Sequence, residues 1–244
     1  MTQDRIVLHY LIGSRASRIL WLLEELDVEY EMKSYHRTSE GLAPPELKAV
    51  WPLGLSPVVQ VFRPGAAKPL TLAESGQIVS YLISHYDPQG KFRPESEDDQ
   101  VLVDYYLHFA EGSLQCHLVS LLVNYVACQR APWGLGWLVK SIMGKINGFY
   151  YLKKIRTAYA FLDQQLEEKN GGYFVGNKLT GADFILDFPV NENLFANPAR
   201  LEEMGAGVNG ERDFPRLAEW NKLITGRLAH VRASEKGQEA KAKL

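Results

Sequence analysis

Apolar positions in the N-terminal third of the chain change period several times, and each change marks an element. In Arg5–Tyr10, Ile6, Leu8 and Tyr10 alternate, the pattern of a strand. Ile19, Leu22, Leu23 and Leu26 then recur at i, i+3, i+4 and i+7, predicting an amphipathic helix that starts at Ser14 and ends at Asp27 and Val28. Alternation returns over Glu29–Tyr35, a second strand. The tandem prolines of Pro44-Pro45-Glu46-Leu47-Lys48-Ala49-Val50 suit the first turn of a short helix. Val58–Phe62 and Pro69–Leu72 predict two short strands joined over Arg63–Ala67 by a hairpin-length connection. Ile78, Val79, Leu82 and Ile83 make Glu74–Tyr86 helical.

The order β-α-β-α-β-β-α, with strands too short for a doubly wound sheet, predicts a thioredoxin-like α/β domain over residues 1–88. Asp87-Pro88-Gln89-Gly90 breaks the pattern, and a charged stretch over 89–97 reads as a linker. From 98 to 244 strand signals vanish and an all-α domain is expected. Its helices are predicted over Val101–Ala127, Leu138–Glu168 and Phe214–Val231, with a charged tail from Ala233 that frays. Thr180-Gly181-Ala182-Asp183 before Phe184-Ile185-Leu186 is a capping box, a structural signal to start a buried helix.

Composition narrows the function classes. Lys+Arg 27 against Asp+Glu 29 gives a net charge of −2, which offers no bulk basic field for nucleic acid or anionic lipid. No apolar run reaches the ~18 residues of a membrane span, and the short apolar segment after Met1–Arg5 is too brief for a signal sequence. Cys116 and Cys128 stand at neither a redox nor a metal-ligand spacing, so buried thiols in a reducing cytoplasm are expected. The six histidines show no paired-ligand spacing, and no phosphate-binding glycine motif follows a strand, so neither a metal nor a nucleotide cofactor is expected.

Chemistry concentrates in three places. Ser56-Pro57-Val58 opens a strand; a cis bond there, a feature of the thioredoxin-like fold, presents the Ser56 N–H and C=O to an extended peptide. Glu74-Ser75 begins a helix, with Ser75 either an N-cap or, with Glu74, a receptor for a carboxylate and an ammonium group. Ser14 stands between a strand and a helix. Its hydroxyl either caps that helix or donates to a thiolate, lowering a thiol pKa from ~8.5 toward neutrality, with Arg15 and Arg18 nearby.

These segments carry a resemblance. Ser14–Leu26, Ala43–Lys48, Pro52-Leu53-Gly54, Ser56-Pro57, Leu72–Gly76, Glu111–Leu114 and Leu179–Asp183 together resemble the glutathione S-transferase family, in particular its fungal and bacterial Gtt1-like branch. The resemblance implies the cytosolic two-domain fold and a homodimer. It implies that glutathione, a co-substrate rather than a cofactor, is conjugated through its thiolate to a small hydrophobic electrophile, with glutathione peroxidase activity as a companion. By position Ser14 matches the activating serine, and Gly13 stands where cysteine-using relatives carry their nucleophile. Leu55 replaces a cation common in relatives, leaving Arg37 or Lys48 for the glycyl carboxylate. Tyr105, Tyr106, Phe109, Leu118 and the aromatics of Trp133–Trp137 are pocket-wall candidates or plain packing. The alternative is a non-catalytic glutathione-binding or regulatory protein on the same fold.

Overall fold

The computed structural model describes residues 4–242. Four strands form one mixed sheet: β1 (Arg5–Leu11), β2 (Tyr30–Tyr35), β3 (Val58–Phe62) and β4 (Leu70–Ala73), in the order β2-β1-β3-β4. Strand β2 runs parallel to β1, with Leu8 opposite Met32, and the right register follows from the crossover helix α1 (Ala16–Leu26) between them. Strand β3 is antiparallel to both β1 and β4, with Val58 paired to His9 on one side and to Ala73 on the other. Helices α2 (Glu46–Val50) and α3 (Ser75–Tyr86) complete the βαβαββα order expected for a thioredoxin-like domain. Helix α1 ends where Asp27 turns left-handed, at φ 53°.

By contacts the chain forms two compact units. The first comprises Met1–Glu95, Leu179–Ile185 and Ile224–Leu244; the second comprises Ser96–Lys178 and Leu186–Leu223. The helical part of the sequence thus returns two segments to the first unit, which a single division at 89–97 does not anticipate.

In the first unit Trp21 is fully buried, its ring against Phe184 (centroids 4.6 Å) and His230 (5.0 Å). The Asp183 carboxylate, also fully buried, accepts the Thr180 N–H at 2.9 Å and lies 3.3 Å from the Thr180 hydroxyl. The Asp183 N–H donates to the Thr180 carbonyl at 3.1 Å.

The tail is helical through Ala242, and its last two positions lie outside the described residues. Helix α12 (Leu228–Ala242) follows the break at Gly226-Arg227 and packs on α1. Glu24 of α1 is buried and receives Arg232 (3.1 Å), Lys236 and Tyr30, while Arg227 pairs with Glu25. These acceptors hold charged residues that composition alone assigns to solvent. The single helix expected over Phe214–Val231 is therefore two, α12 and the earlier α11 (Pro215–Thr225), divided by a glycine, a poor helix former.

The second unit is helical: α4 (Glu97–Phe109), α5 (Cys116–Gln129), α6 (Gly136–Ile146), α7 (Leu152–Glu168), the end of α8 (Gly181–Asp187), α9 (Pro198–Glu203), α10 (Gly210–Asp213) and most of α11. Wide π-turns at Ala110–Gln115 and Asn147–Tyr151 join α4 to α5 and α6 to α7 without breaking the run. Tyr106, Phe174 and Trp220 meet there in tilted and edge-on ring contacts, with successive centroids 5.2 Å apart, and the buried Tyr159 donates to the Pro189 carbonyl at 2.8 Å. Contrary to expectation Cys116 is exposed and Cys128 half-buried, because α5 buries only Leu118 and Leu121.

Candidate functional site

The sheet register brings the sequence-predicted residues to one edge. His9, near the end of β1, lies opposite Val58 at the start of β3, and Val58 lies opposite Ala73 at the end of β4. Ser14 after β1, Ser56 and Pro57 before β3, and Glu74 after β4 therefore emerge together, as does Arg37 after β2. The start of α1 and the start of α3 arrive at the same edge, each with the positive end of its dipole.

Ser14 is buried, and its Oγ accepts the Ala16 N–H at 3.2 Å. A hydroxyl has one donor and two acceptor positions, so this capping bond leaves the proton for another acceptor. The two roles read from sequence are compatible rather than exclusive. Arg37 donates to the Gly13 carbonyl (3.1 Å) and the Gly41 carbonyl (3.1 Å), which fixes a guanidinium beside the turn that carries Ser14. Gly13 itself adopts φ +65°, a left-handed turn. Arg18 is different: it is fully buried and donates to the Ile185 carbonyl at 2.6 Å, a structural tie.

The Ser56–Pro57 peptide is cis, as expected. The Ser56 hydroxyl is consumed: it accepts the Leu11 N–H and donates to the His9 carbonyl, both at 3.1 Å, locking the loop to β1. Its backbone N–H and C=O enter no backbone hydrogen bond among the described residues. Lys48 lies alongside this loop. A Cβ on Gly54, whose φ is +62°, would stand 2.8 Å from Lys48 Cγ, so glycine is what lets the lysine stem lie there. Leu55 is exposed.

At the third corner the structure corrects one reading. Ser75 is not an N-cap but the first residue of α3; Glu74 holds the cap position, without a side-chain capping bond. Glu74 has φ 66° and ψ 121°, a left-handed backbone for a residue with a side chain, which costs on the order of 1–3 kcal/mol and clusters at ligand sites. Its carboxylate is exposed, whereas Ser75 is buried with no side-chain hydrogen bond among the described residues.

A polar chain that the sequence reading missed crosses the whole sheet behind this edge. Tyr35 Oη lies 2.7 Å from His9 Nδ1, His9 Nε2 lies 3.1 Å from Gln60 Oε1, and Gln60 Nε2 lies 3.5 Å from Thr71 Oγ1. Burial holds the His9 imidazole below its ordinary pKa, against a raising contribution from Gln60. The signal was available: His9 and Gln60 are polar residues in otherwise apolar strands.

Two family models match the chain, glutathione S-transferase N-terminal domain over residues 6–84 and glutathione S-transferase C-terminal domain over residues 144–224. Glutathione S-transferase 1 of Saccharomyces cerevisiae is 34% identical, over 98% of this chain and 97% of its own. The chain belongs to the glutathione S-transferase family. A glutathione S-transferase structure from Actinobacillus pleuropneumoniae is 30% identical with a TM-score of 0.70, covering 96% of this chain and 93% of that one. Ure2p5 from Phanerochaete chrysosporium, crystallised with 1-(S-glutathionyl)-2,4-dinitrobenzene, shares the fold at 19% identity and a TM-score of 0.71, covering 100% and 99%. In this glutathione S-transferase fold the remaining candidates separate. Tyr106 and Leu118 are buried in the helical unit, Tyr105 and Phe109 stack with Phe161, and Trp133 and Trp137 are exposed.

A cleft of about 600 Å³ lies at the opposite end of β1, lined by Arg5, Glu24, Asp27, Glu31 and Lys236. It holds the ion pairs that fasten α12 and lacks every residue of the predicted site.

Proposed function

We propose that this chain is a glutathione transferase whose co-substrate binds along the edge built by Ser14, Ser56 and Glu74. The γ-glutamyl end lies at α3, its carboxylate on the Ser75 hydroxyl and N–H groups and its ammonium on Glu74. The cysteinyl backbone pairs with the Ser56 N–H and C=O beside Pro57 and Val58. Arg37 and Lys48 face the glycyl carboxylate in place of the cation that Leu55 does not supply. Ser14 donates its hydroxyl proton to the glutathione thiolate at the positive end of α1, which favours the ionised thiol near neutral pH. The thiolate then forms a carbon–sulfur bond with a hydrophobic electrophile, and the leaving group departs with its electron pair. Positioning and thiolate stabilisation supply the catalysis, with no covalent enzyme intermediate and no cofactor. The same thiolate attacks the terminal oxygen of a hydroperoxide, breaking the O–O bond to release an alcohol, and the resulting glutathione sulfenic acid condenses with a second glutathione to give the disulfide and water. The protein works as a homodimer in the cytoplasm, and none of its described helices is long and apolar enough to cross a membrane.

The observation that carries this reading is the Ser14 hydroxyl, occupied as an acceptor by Ala16 N–H and open as a donor. Ser14→Ala is expected to lower kcat with 1-chloro-2,4-dinitrobenzene by about 10- to 100-fold, with little change in glutathione affinity. The pH–rate profile should move to higher pH. An unchanged kcat and profile would reduce Ser14 to a helix cap. Glutathione binding without turnover of aryl halides or hydroperoxides would favour a regulatory protein.

A further inference from the structure

The net charge of −2 conceals a long one-signed segment. Residues 112–162 contain six of the 27 basic residues and none of the 29 acidic ones, leaving 21 basic against 29 acidic elsewhere. Helix α6 and its flanks lie at the centre of that segment, within the helical unit. Although α6 packs on α5, it buries no residue.

What α6 exposes is apolar. Leu138, Ile142, Ile146 and Phe149 follow at spacings of four, four and three, so they form one row along the helix, and each is exposed. Trp133 is 101% exposed in the preceding turn, Trp137 73% in the first turn of the helix, and Phe149 77% at the far end. Lysines punctuate the same surface. Lys145, three residues after Ile142, is exposed on that face of α6 while Lys140 is exposed on another; Lys153 Nζ stands 5.7 Å over the Phe149 ring, and Lys154 Nζ stands 5.8 Å over the Tyr150 ring. Long aliphatic stems that end in ammonium groups reach along apolar surface toward a polar boundary.

We propose that this face docks on a phospholipid bilayer carrying anionic headgroups. The Leu138–Phe149 row would enter the headgroup–acyl boundary with α6 in the plane of the membrane, while Lys145, Lys153 and Lys154 meet the lipid phosphates. An apolar row rimmed with lysines and aromatics, on a helix too short to span, is the composition of an interfacial helix. Charge selects this occupant over a second copy of the chain. A two-fold contact through α6 would set two all-basic segments against each other, whereas an anionic surface complements them.

The test is flotation of the full chain with vesicles of phosphatidylcholine alone and of phosphatidylcholine with 30 mol% phosphatidylserine. Co-flotation with the mixed vesicles, weak with phosphatidylcholine and falling steeply between about 0.1 M and 0.5 M salt, is expected. Lys145→Glu with Lys153→Glu should weaken partitioning by about tenfold or more, and Trp137→Ser with Ile142→Ser should do the same by removing apolar contact. Circular dichroism checks that both pairs remain folded, and the salt series on the unaltered chain needs no variant. Equal flotation on both vesicle types, or none on either, overturns the proposal. So does a drop in oligomeric state caused by Trp137→Ser with Ile142→Ser in the absence of vesicles, which would make the face an interface between copies.

Discussion

Helix α6 has six apolar residues in eleven and buries none of them, whereas α12, mostly charged and small, buries Ala229, His230, Ala233 and Ala240. The two helices even share a spacing. Leu138, Ile142, Ile146 and Phe149 form a row of four, four and three; so do Ala229, Ala233, Gly237 and Ala240. The first row is bulky and bare. The second is small enough for α12 to settle close to the rest of its unit, where a Cβ on Gly237 would stand 2.9 Å from the Tyr10 hydroxyl. Glu24 then collects Arg232 and Lys236 of α12, and Glu25 collects Arg227 of the turn before it. Hydropathy measures what a helix gains from a cover, and steric room with a matching charge decides whether a cover is there.

The comparison breaks most visibly at Gly237. Gly237→Leu should drive a branched side chain into Tyr10 and destabilise the chain by about 3 kcal/mol, read as a fall in Tm. Such overpacking has no counterpart on α6.

Glu24 is next. Replacing it by Gln should cost about 2 kcal/mol, discounted because Arg232 and Lys236 are themselves half-exposed. Its pH signature is the sharper readout. Burial pushes the Glu24 carboxyl up, but Lys236, Tyr30 and Arg232 outweigh it and hold the pKa below 4.5. The unfolded chain therefore takes the proton first as pH falls. The stabilisation is complete above 4.5 and is lost as pH drops through the folded value. His9 acts in an earlier window, since its lowered folded pKa begins to cost stability as pH falls through 6.5. Urea titrations should show both declines in the native chain and only the upper one in Glu24→Gln.

The smallest effect is expected on α6. Trp137→Ser and Ile142→Ser, on exposed positions, should each change stability by less than about 0.5 kcal/mol, measured in urea without lipid. A large loss there would mean that this face is covered.

Much of the first unit was legible because its signals are local. Alternation at Ile6, Leu8 and Tyr10, the helical spacing of Ile19, Leu22, Leu23 and Leu26, and the turn chemistry around Ser56-Pro57 each specify their own element, and the sheet register then gathers the site at one edge. What escaped depends on distant partners. Nothing near Ala233 tells of Glu24, about two hundred residues earlier, and nothing near His9 tells that Tyr35 and Gln60 meet its two ring nitrogens. Glu74 is intermediate: the motif was visible, but its positive φ and the resulting shift of Ser75 from cap to first helical residue belong to three-dimensional context. The exposure of Cys116 likewise follows from which side of α5 the helical core occupies.

The tryptophans carry a practical consequence. Trp21 is fully enclosed in the first compact unit, beside Phe184 and His230, and Trp220 is as deeply enclosed in the second, beside Phe174. Three further indoles, Trp51, Trp133 and Trp137, are less enclosed, so replacing those three by Phe leaves one optical reporter in each half. Adding Trp21→Phe or Trp220→Phe to that background leaves a single indole that times the melting of its own unit, and coincident or separated fluorescence transitions reveal whether this chain unfolds as one cooperative body or as two.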